Sequence, residues 1–183
     1  MPNYRRASLP GGTYFFTVVT FERRPILCKD DVRDALRIAI EDVRRSQPFT
    51  IDAWVLLPDH LHCVWTLPEG DANYPQRWAR IKRRVSVQCA QRYSRDHATG
   101  SSRQMRRERS VWQRRYWEHQ IRNNEDFARH VDYIHWNPVK HGYVTRAREW
   151  RYSTFHRFVR QGLYPLEWGV DDGSVSHDVH GEP

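Results

Sequence analysis

The order of strand-like and helix-like segments is the feature that most restricts how this chain can fold. Strands are indicated by short β-branched and aromatic runs, and helices by apolar residues that recur every three or four positions. The order is strand, helix, two strands, helix, strand, helix. The segments are Thr13–Thr20, Asp30–Ser46, Phe49–Leu57, His60–Leu67, Pro75–Tyr93, Tyr116–Ile121 and Asn124–Trp136. This order favours an α+β fold in which helices cover a small antiparallel sheet, close to the ferredoxin-like (split β-α-β) arrangement.

Two prolines are expected to mark boundaries within this pattern. Pro58 and Asp59 alone separate the second and third strand-like runs, which predicts an antiparallel hairpin. Pro138 is expected to end the last helix, because proline has no backbone N–H and its ring clashes with the preceding turn.

Length and charge narrow the classes of protein that remain. The chain has 183 residues, which suits one domain, whereas an eight-stranded barrel enzyme typically needs ~250. The formal net charge is +8, and arginine outnumbers lysine. Guanidinium groups pair with phosphate, so a polyanionic partner is indicated, although a merely basic surface remains open. The sequence has neither a signal peptide nor an apolar run of membrane-spanning length, and we expect a cytoplasmic protein. Three cysteines without CxxC spacing predict reduced thiols.

Two segments differ in composition from the rest. Residues 94–110 are rich in Ser, Gly and Arg without apolar periodicity, which predicts a flexible basic loop. Residues 171–183 contain four acidic residues and no lysine or arginine. We expect them to form a disordered acidic tail after a domain that spans residues 1–170.

Two histidines lie two positions apart in the third predicted strand. Because strand side chains alternate between faces, His60 and His62 project from the same face and could bind one divalent metal ion. The run around them is apolar, and buried neutral histidines need partners. A pair of ordinary surface histidines is the alternative. A histidine-triad nucleotide hydrolase is disfavoured, because Val64 and Trp65 occupy the positions that follow.

A tyrosine and an asparagine lie four positions apart near the end of the last predicted helix. Tyr133 and Asn137 therefore share one helical face. With a metal on His60 and His62, they form a set suited to cutting a phosphodiester, in which the phenol oxygen attacks phosphorus and the 3′ oxygen leaves. An amide oxygen ligand from Asn137 favours Mg²⁺ or Mn²⁺. The alternatives are a half-buried aromatic and a residue that ends the helix before Pro138.

These motifs resemble those of a known family. His60-Leu61-His62 looks like the HUH motif, and residues 133–142 look like the signature of single-tyrosine HUH transposases, in particular the branch of REP-associated tyrosine transposases. The other matching segments are Tyr4-Arg5-Arg6, Gly11–Thr17, Ala53–His60, Trp112-Gln113, Tyr116–His119 and Ser153–His156.

The resemblance implies an HUH nuclease fold and a metal-dependent endonuclease and transposase. Such an enzyme cuts single-stranded DNA beside repetitive extragenic palindromic (REP) hairpins and can rejoin strands. It would leave a 5′-phosphotyrosine on Tyr133, with His60, His62 and Asn137 as ligands of Mg²⁺ or Mn²⁺. A hairpin-binding protein that retains the fold without cutting is the alternative. A monomer and a homodimer both remain open, as does whether Tyr133 serves its own or a partner's site.

Basic and aromatic residues supply the candidate DNA contacts. Positive charge crowds the second predicted helix and the exit of the basic loop, a density typical of phosphate binding. Aromatic side chains could stack on unpaired bases, and the glycine turn before the first strand exposes bare backbone. The candidates are Arg5, Arg6, Gly11, Gly12, Thr13, Tyr14, Arg77, Arg80, Lys82, Arg83, Arg84, Arg114, Arg115 and Lys140, with Trp112, Tyr116 and Trp117 as further stacking candidates. For the helix, a solvated charged face is the alternative.

Overall fold

The computed structural model describes residues 8–93 and 111–170. Within these ranges an antiparallel sheet has the strand order β2-β3-β1-β4. The strands are β1 Thr13–Val19, β2 Thr50–Leu56, β3 His60–Thr66 and β4 Trp117–Gln120. The helices are α1 Asp30–Ser46, α2 Tyr74–Gln88, α3 Ala90–Tyr93, α4 Asn124–Lys140 and α5 Phe155–Arg160. The predicted α+β fold with a split β-α-β arrangement is confirmed. The predicted basic loop and acidic tail, and the candidates Arg5 and Arg6, lie outside the described residues.

Helix α4 corrects the prediction that Pro138 ends the last helix. The helix continues through Pro138 to Lys140. A proline this close to the end of a helix removes one hydrogen bond of the final turn, and the turn closes through its neighbours. The N–H of His141 donates to the carbonyl of Asn137, and the N–H of Tyr143 donates to the carbonyl of Pro138. Asn137 therefore lies inside the helix and does not end it.

The second predicted helix is also divided. Helix α2 ends at Gln88, and the short helix α3 continues from Ala90. Helix α2 begins where expected, because the side chain of Asn73 accepts a hydrogen bond from the N–H of Gln76.

The two faces of the sheet carry different layers. Leu61, Cys63 and Trp65 point into a core with the buried faces of α1 and α2. The alternate residue Val64 packs with α4. Since His62 shares the face of Val64, strand alternation turns the histidine pair toward α4. The β1–β3 register places Thr17 opposite His62.

The outer edge of β2 is covered by the chain's own C-terminal half. The N–H of Leu56 donates to the carbonyl of Tyr152, and the N–H of Thr154 donates to the carbonyl of Trp54, both at 2.9 Å. These bonds pair residues 152–154 with a strand edge that would otherwise present unpaired backbone groups. Among the helices of the described ranges, each is too short or too polar to cross a membrane.

Candidate functional site

His60 and His62 are buried at the start of β3, with ring centroids 4.9 Å apart. Each ring is held through Nδ1. His60 Nδ1 lies 2.7 Å from Oδ1 of Asp59, and His62 Nδ1 lies 2.9 Å from Oγ1 of Thr17. Metal-binding histidines are commonly oriented in this way, with one ring nitrogen on a carboxylate or other polar group and the other on the metal. A metal at this pair would therefore bind through Nε2 of each ring.

Asp59 is suited to orient His60 because its carboxyl group stays ionised. Partial burial raises its pKa, but hydrogen bonds and charge from His60, with a further hydrogen bond from Arg23, leave the pKa below its ordinary value. An ionised carboxylate only accepts hydrogen bonds. The His60 tautomer with its proton on Nδ1 can donate to this carboxylate, and that tautomer leaves the Nε2 lone pair for a metal.

Tyr133 lies against the histidine pair. Its ring centroid is 5.3 Å from that of His62, and the side chain is buried. The hydroxyl oxygen accepts a hydrogen bond from Nζ of Lys140 at 3.2 Å, and the same Nζ lies 4.6 Å from the ring centroid. Lys140, a candidate phosphate contact from sequence, therefore lies at the phenol oxygen. An ammonium group there stabilises negative charge that develops as the phenol loses its proton.

Asn137 lies one turn after Tyr133 on the same face of α4 and is fully buried. Neither its amide oxygen nor its amide nitrogen has a hydrogen-bond partner among the described residues. Leaving a buried polar group without a partner costs about 1–3 kcal/mol, so such a group usually serves a bound water, ion or ligand. An amide oxygen suits a hard cation and imidazole a borderline one, so the donor types of these three side chains are compatible with a divalent cation.

A second histidine and carboxylate group was not identified from sequence. His119 on β4 and His130 on α4 both approach Asp126, and one ligand atom from each residue lies within 4.8 Å of the others. His119 Nε2 lies 2.8 Å from Oδ2 of Asp126, and His130 Nδ1 lies 2.7 Å from the Asp126 carbonyl. These residue types can hold a metal ion. The two rings also stack nearly parallel, with an interplanar angle of 14°. The four-residue spacing of Asp126 and His130 was the available sequence signal.

Several candidate DNA contacts are structural. Arg77 is fully buried, and its guanidinium group donates to Oδ2 of Asp71 at 2.6 Å and to the carbonyl of Pro48 at 2.8 Å. Tyr14 is also fully buried, and its hydroxyl donates to the carbonyl of Leu9. Burial removes both side chains from the DNA-binding candidates.

Backbone conformation and close packing account for the two glycines of the turn before β1. Gly11 adopts a φ of +70°, which favours glycine. Gly12 is buried, and a Cβ atom there would lie 2.8 Å from the carbonyl of Leu9. The hydroxyl of Thr13 lies 2.9 Å from that of Thr66 on the neighbouring strand. Trp112 is buried in the core beside α1 and α2, whereas Tyr116 and Trp117 are half-buried.

The remaining basic candidates lie at the surface around α2. Arg83, Arg84, Arg114 and Arg115 are exposed, and Arg80 is half-buried. Nζ of Lys82 donates to the carbonyls of Gln113 and Arg114 at 2.6 and 3.2 Å, which ties α2 to the segment before β4. Lys82 thus anchors the segment that carries Arg114 and Arg115 to α2.

One family match includes the sheet, the histidine pair and Tyr133. The family described as "Transposase IS200 like" matches residues 9–137, and the chain belongs to this family. The matched range begins just before β1 and ends at Asn137.

Individual relatives indicate the branch of the family to which the chain is similar. The REP-associated tyrosine transposase of Escherichia coli K12 is 47% identical over 171 residues, which cover 93% of each chain. A relative from Haemophilus influenzae is 43% identical over 184 residues, covering 98% of this chain and 100% of that one. A solved structure of a REP-associated tyrosine transposase bound to a REP hairpin matches with a TM-score of 0.79 and 42% identity, over 100% of both chains. This chain is a transposase, and its similarity is to the REP-associated branch.

Proposed function

We propose that this transposase binds REP-like DNA hairpins and cuts the single strand beside them, with Tyr133 as the nucleophile. The observation that carries the proposal is the contact of Tyr133 with His62, 5.3 Å between ring centroids, together with the Lys140 ammonium at the phenol oxygen. The solved relative bound to a REP hairpin, which matches along its whole length, supports hairpin binding.

The reaction exchanges one phosphoester for another. The phenol oxygen of Tyr133 forms a bond to the scissile phosphorus, the bond from phosphorus to the 3′ oxygen breaks, and the 3′ oxygen takes up a proton. The phenol proton passes to solvent water as the attack begins, the 3′ oxygen takes its proton from solvent, and Lys140 stabilises the negative charge that develops on the phenol oxygen. The product is a 5′-phosphotyrosine and a free 3′-hydroxyl. Because ester replaces ester, attack by a 3′-hydroxyl on the phosphotyrosine rejoins the strand and restores the phenol.

His60, His62 and Asn137 would hold a divalent cation, Mg²⁺ or Mn²⁺. When bound, the cation polarises a phosphate oxygen and offsets the charge that develops during transfer. The chain's own part is to orient the ligands. Asp59 and Thr17 fix the two imidazole rings, and α4 supplies the buried amide.

The same geometry supports action within one chain. Tyr133 and His62 are in contact without a second copy. Residues 152–154 cover the outer edge of β2, so that edge is closed to sheet extension by a partner. We therefore propose that a monomer assembles the complete site. Acting on chromosomal DNA, it would work in the cytoplasm, at the nucleoid.

A hairpin oligonucleotide with a 5′ single-stranded flank tests cleavage against the non-cleaving alternative. The protein is incubated with it in Mg²⁺ or Mn²⁺ and resolved on a denaturing gel. A protein–DNA adduct that requires the metal and is lost in Tyr133→Phe is expected, while a native gel still detects binding by that variant. A stable complex on the native gel with no adduct under either metal would instead favour a hairpin-binding protein that does not cut.

A further inference from the structure

A continuous line of rings leads away from the proposed nuclease site. The His60 ring lies 5.1 Å from that of His141, and His141 lies 6.0 Å from Tyr143. Tyr143 stacks on Trp150 at 5.5 Å, and Trp150 lies 5.8 Å from Tyr152. We call the last four rings, His141, Tyr143, Trp150 and Tyr152, the aromatic track. It begins beside His60, a proposed metal ligand, and ends at the covered edge of β2.

The track ends in a basic cleft. The guanidinium groups of Arg33 and Arg151 lie 5.0 and 4.7 Å from the centroid of the Tyr152 ring. Next to this ring is a cleft of about 550 Å³ that we call the arginine cleft. Asp30 pairs with Arg33 at 2.9 Å. Among the described residues, the lining side chains include four arginines and no carboxylate. They are Arg33, Arg44, Thr50, Ile51, Trp54, Leu56, Arg151, Tyr152, Ser153, Thr154 and Arg157.

Two rings of the track are held by hydrogen bonds, and the other two are accessible. Nε1 of Trp150 donates to the carbonyl of Leu56 at 3.0 Å, and Nη1 of Arg33 donates to the hydroxyl of Tyr152 at 3.1 Å. These bonds fix both rings against β2 and α1. In contrast, His141 is exposed, and Tyr143 retains 44% of its accessible surface. The exposed rings can stack on unpaired bases, and the two rings that are already held lose little further entropy when a strand binds.

We infer that the single strand flanking the hairpin runs from the nuclease site along the aromatic track to the arginine cleft. This inference rests on the proposed function, because it starts at the scissile phosphate beside His60. Aromatic rings combined with a positive groove are the usual means of binding an unpaired strand. In a duplex the bases are paired and stacked on each other. Its phosphates could contact the arginines, but its bases could not stack on the aromatic rings as those of an unpaired strand can.

Tyr143 gives the most direct test of the track, because apart from His141 it is the most exposed of the four rings. Binding is measured for two oligonucleotides, the bare hairpin and the same hairpin with single-stranded flanks. Tyr143→Ala is expected to lower affinity for the flanked hairpin about tenfold and to leave affinity for the bare hairpin unchanged. Tyr143→Phe keeps the ring and should bind both as the parent does, which controls for folding.

The cleft is tested with a matched pair of charge reversals. Arg151→Glu removes a cleft arginine, whereas Arg45→Glu makes the same change on an α1 side chain that is 76% exposed and lies outside the cleft lining. Arg151→Glu should weaken binding of the flanked hairpin more than Arg45→Glu does, and the two should be equal on the bare hairpin. A general loss of positive charge would weaken both variants equally on both DNAs.

The possible results distinguish a failure of the proposed strand path from a failure of the proposed function. If the parent binds neither DNA, the proposed function itself is wrong. If the parent prefers the flanked hairpin and Tyr143→Ala keeps that preference in full, the strand does not follow the track, and hairpin binding stands. A loss of the preference in Tyr143→Ala, with retention in Tyr143→Phe, supports the track.

Discussion

Nζ of Lys140 lies 3.2 Å from the hydroxyl oxygen of Tyr133, across seven residues of one helix. The contact exists because α4 continues past Pro138 into the turn that carries Lys140. A helix that stopped before the proline would leave the ammonium group on a loop. The extra turn therefore connects the fold to the proposed chemistry, since it places a positive charge where negative charge must develop.

Removing this ammonium group should slow cleavage more than it weakens binding. For Lys140→Met we expect adduct formation to slow about tenfold to a hundredfold, because the phenolate loses a positive charge 3.2 Å from its oxygen. The measurement is a single-turnover rate on saturating flanked hairpin. Lys29→Met, which removes an exposed lysine at the start of α1, is the control and should leave the rate unchanged. Equal rates in the two variants would contradict a role for Lys140 at the phenol.

Asp59 should control metal affinity through His60. In Asp59→Asn the carboxylate 2.7 Å from His60 Nδ1 is lost, so the ring is less firmly oriented. Loss of such an outer partner commonly weakens metal binding about 10- to 100-fold. A Mn²⁺ titration of cleavage should shift to higher concentration by that factor. Asp42→Asn, on the surface of α1, should not shift the titration, and an unshifted Asp59→Asn would count against the ligand role of His60.

Replacing Asn137 should abolish cleavage without lowering the stability of the fold. Its buried amide has no hydrogen-bond partner among the described residues, so Asn137→Leu replaces an unsatisfied polar group with an apolar one of similar volume. Without metal, we expect the free energy of unfolding of the variant to equal that of the parent or to exceed it by up to ~2 kcal/mol. With metal, we expect the variant to have lost cleavage. Urea unfolding and the adduct assay measure the two effects. A variant that is less stable and still cleaves would show that the amide has only a structural role.

Substitutions of Arg77 and Arg83, both on α2, should have different effects, the first on stability and the second on DNA binding. Arg77 is buried against Asp71 and three backbone carbonyls, so Arg77→Ala should lower the free energy of unfolding by about 2 kcal/mol. Arg83 is exposed, so Arg83→Ala should leave unfolding unchanged and lower DNA affinity at low salt. Urea unfolding together with binding at two salt concentrations tests both. Equal stability of the two variants would contradict the structural role of Arg77.

Local periodicity predicted the parts of the site that one element determines. Strand alternation places His60 and His62 on one face, and a four-residue spacing places Tyr133 and Asn137 on one face of α4. Neither argument required knowledge of neighbouring elements. The α+β class and the order of the elements agree with the sequence analysis, whereas the strand order of the sheet and the contact of Tyr133 with His62 come from the structure.

The features that sequence missed depend on contacts between distant segments. Arg77 belongs to a charged cluster in the sequence, but the loop around Gln47 and Pro48 encloses its guanidinium group. Asp126 and His130 become a group only when β4 brings His119 beside α4. Periodicity within one element contains no information about such contacts.

The covered sheet edge is a further case of the same kind. Residues 152–154 pair with β2 across about a hundred positions of sequence, as in the hydrogen bond from Trp54 N–H to Oγ1 of Thr154. That segment has no strand pattern of its own. The pairing is what favours a monomeric site over a shared one.

Peptide mapping of the trapped adduct tests the central claim most directly. The parent protein is incubated with the flanked hairpin and metal, digested with nuclease and protease, and analysed by mass spectrometry for a nucleotide attached to tyrosine. The account predicts a single 5′-phosphodeoxynucleotide on Tyr133, absent from Tyr133→Phe. A nucleotide on any of the other tyrosines, or its persistence in Tyr133→Phe, would contradict the account.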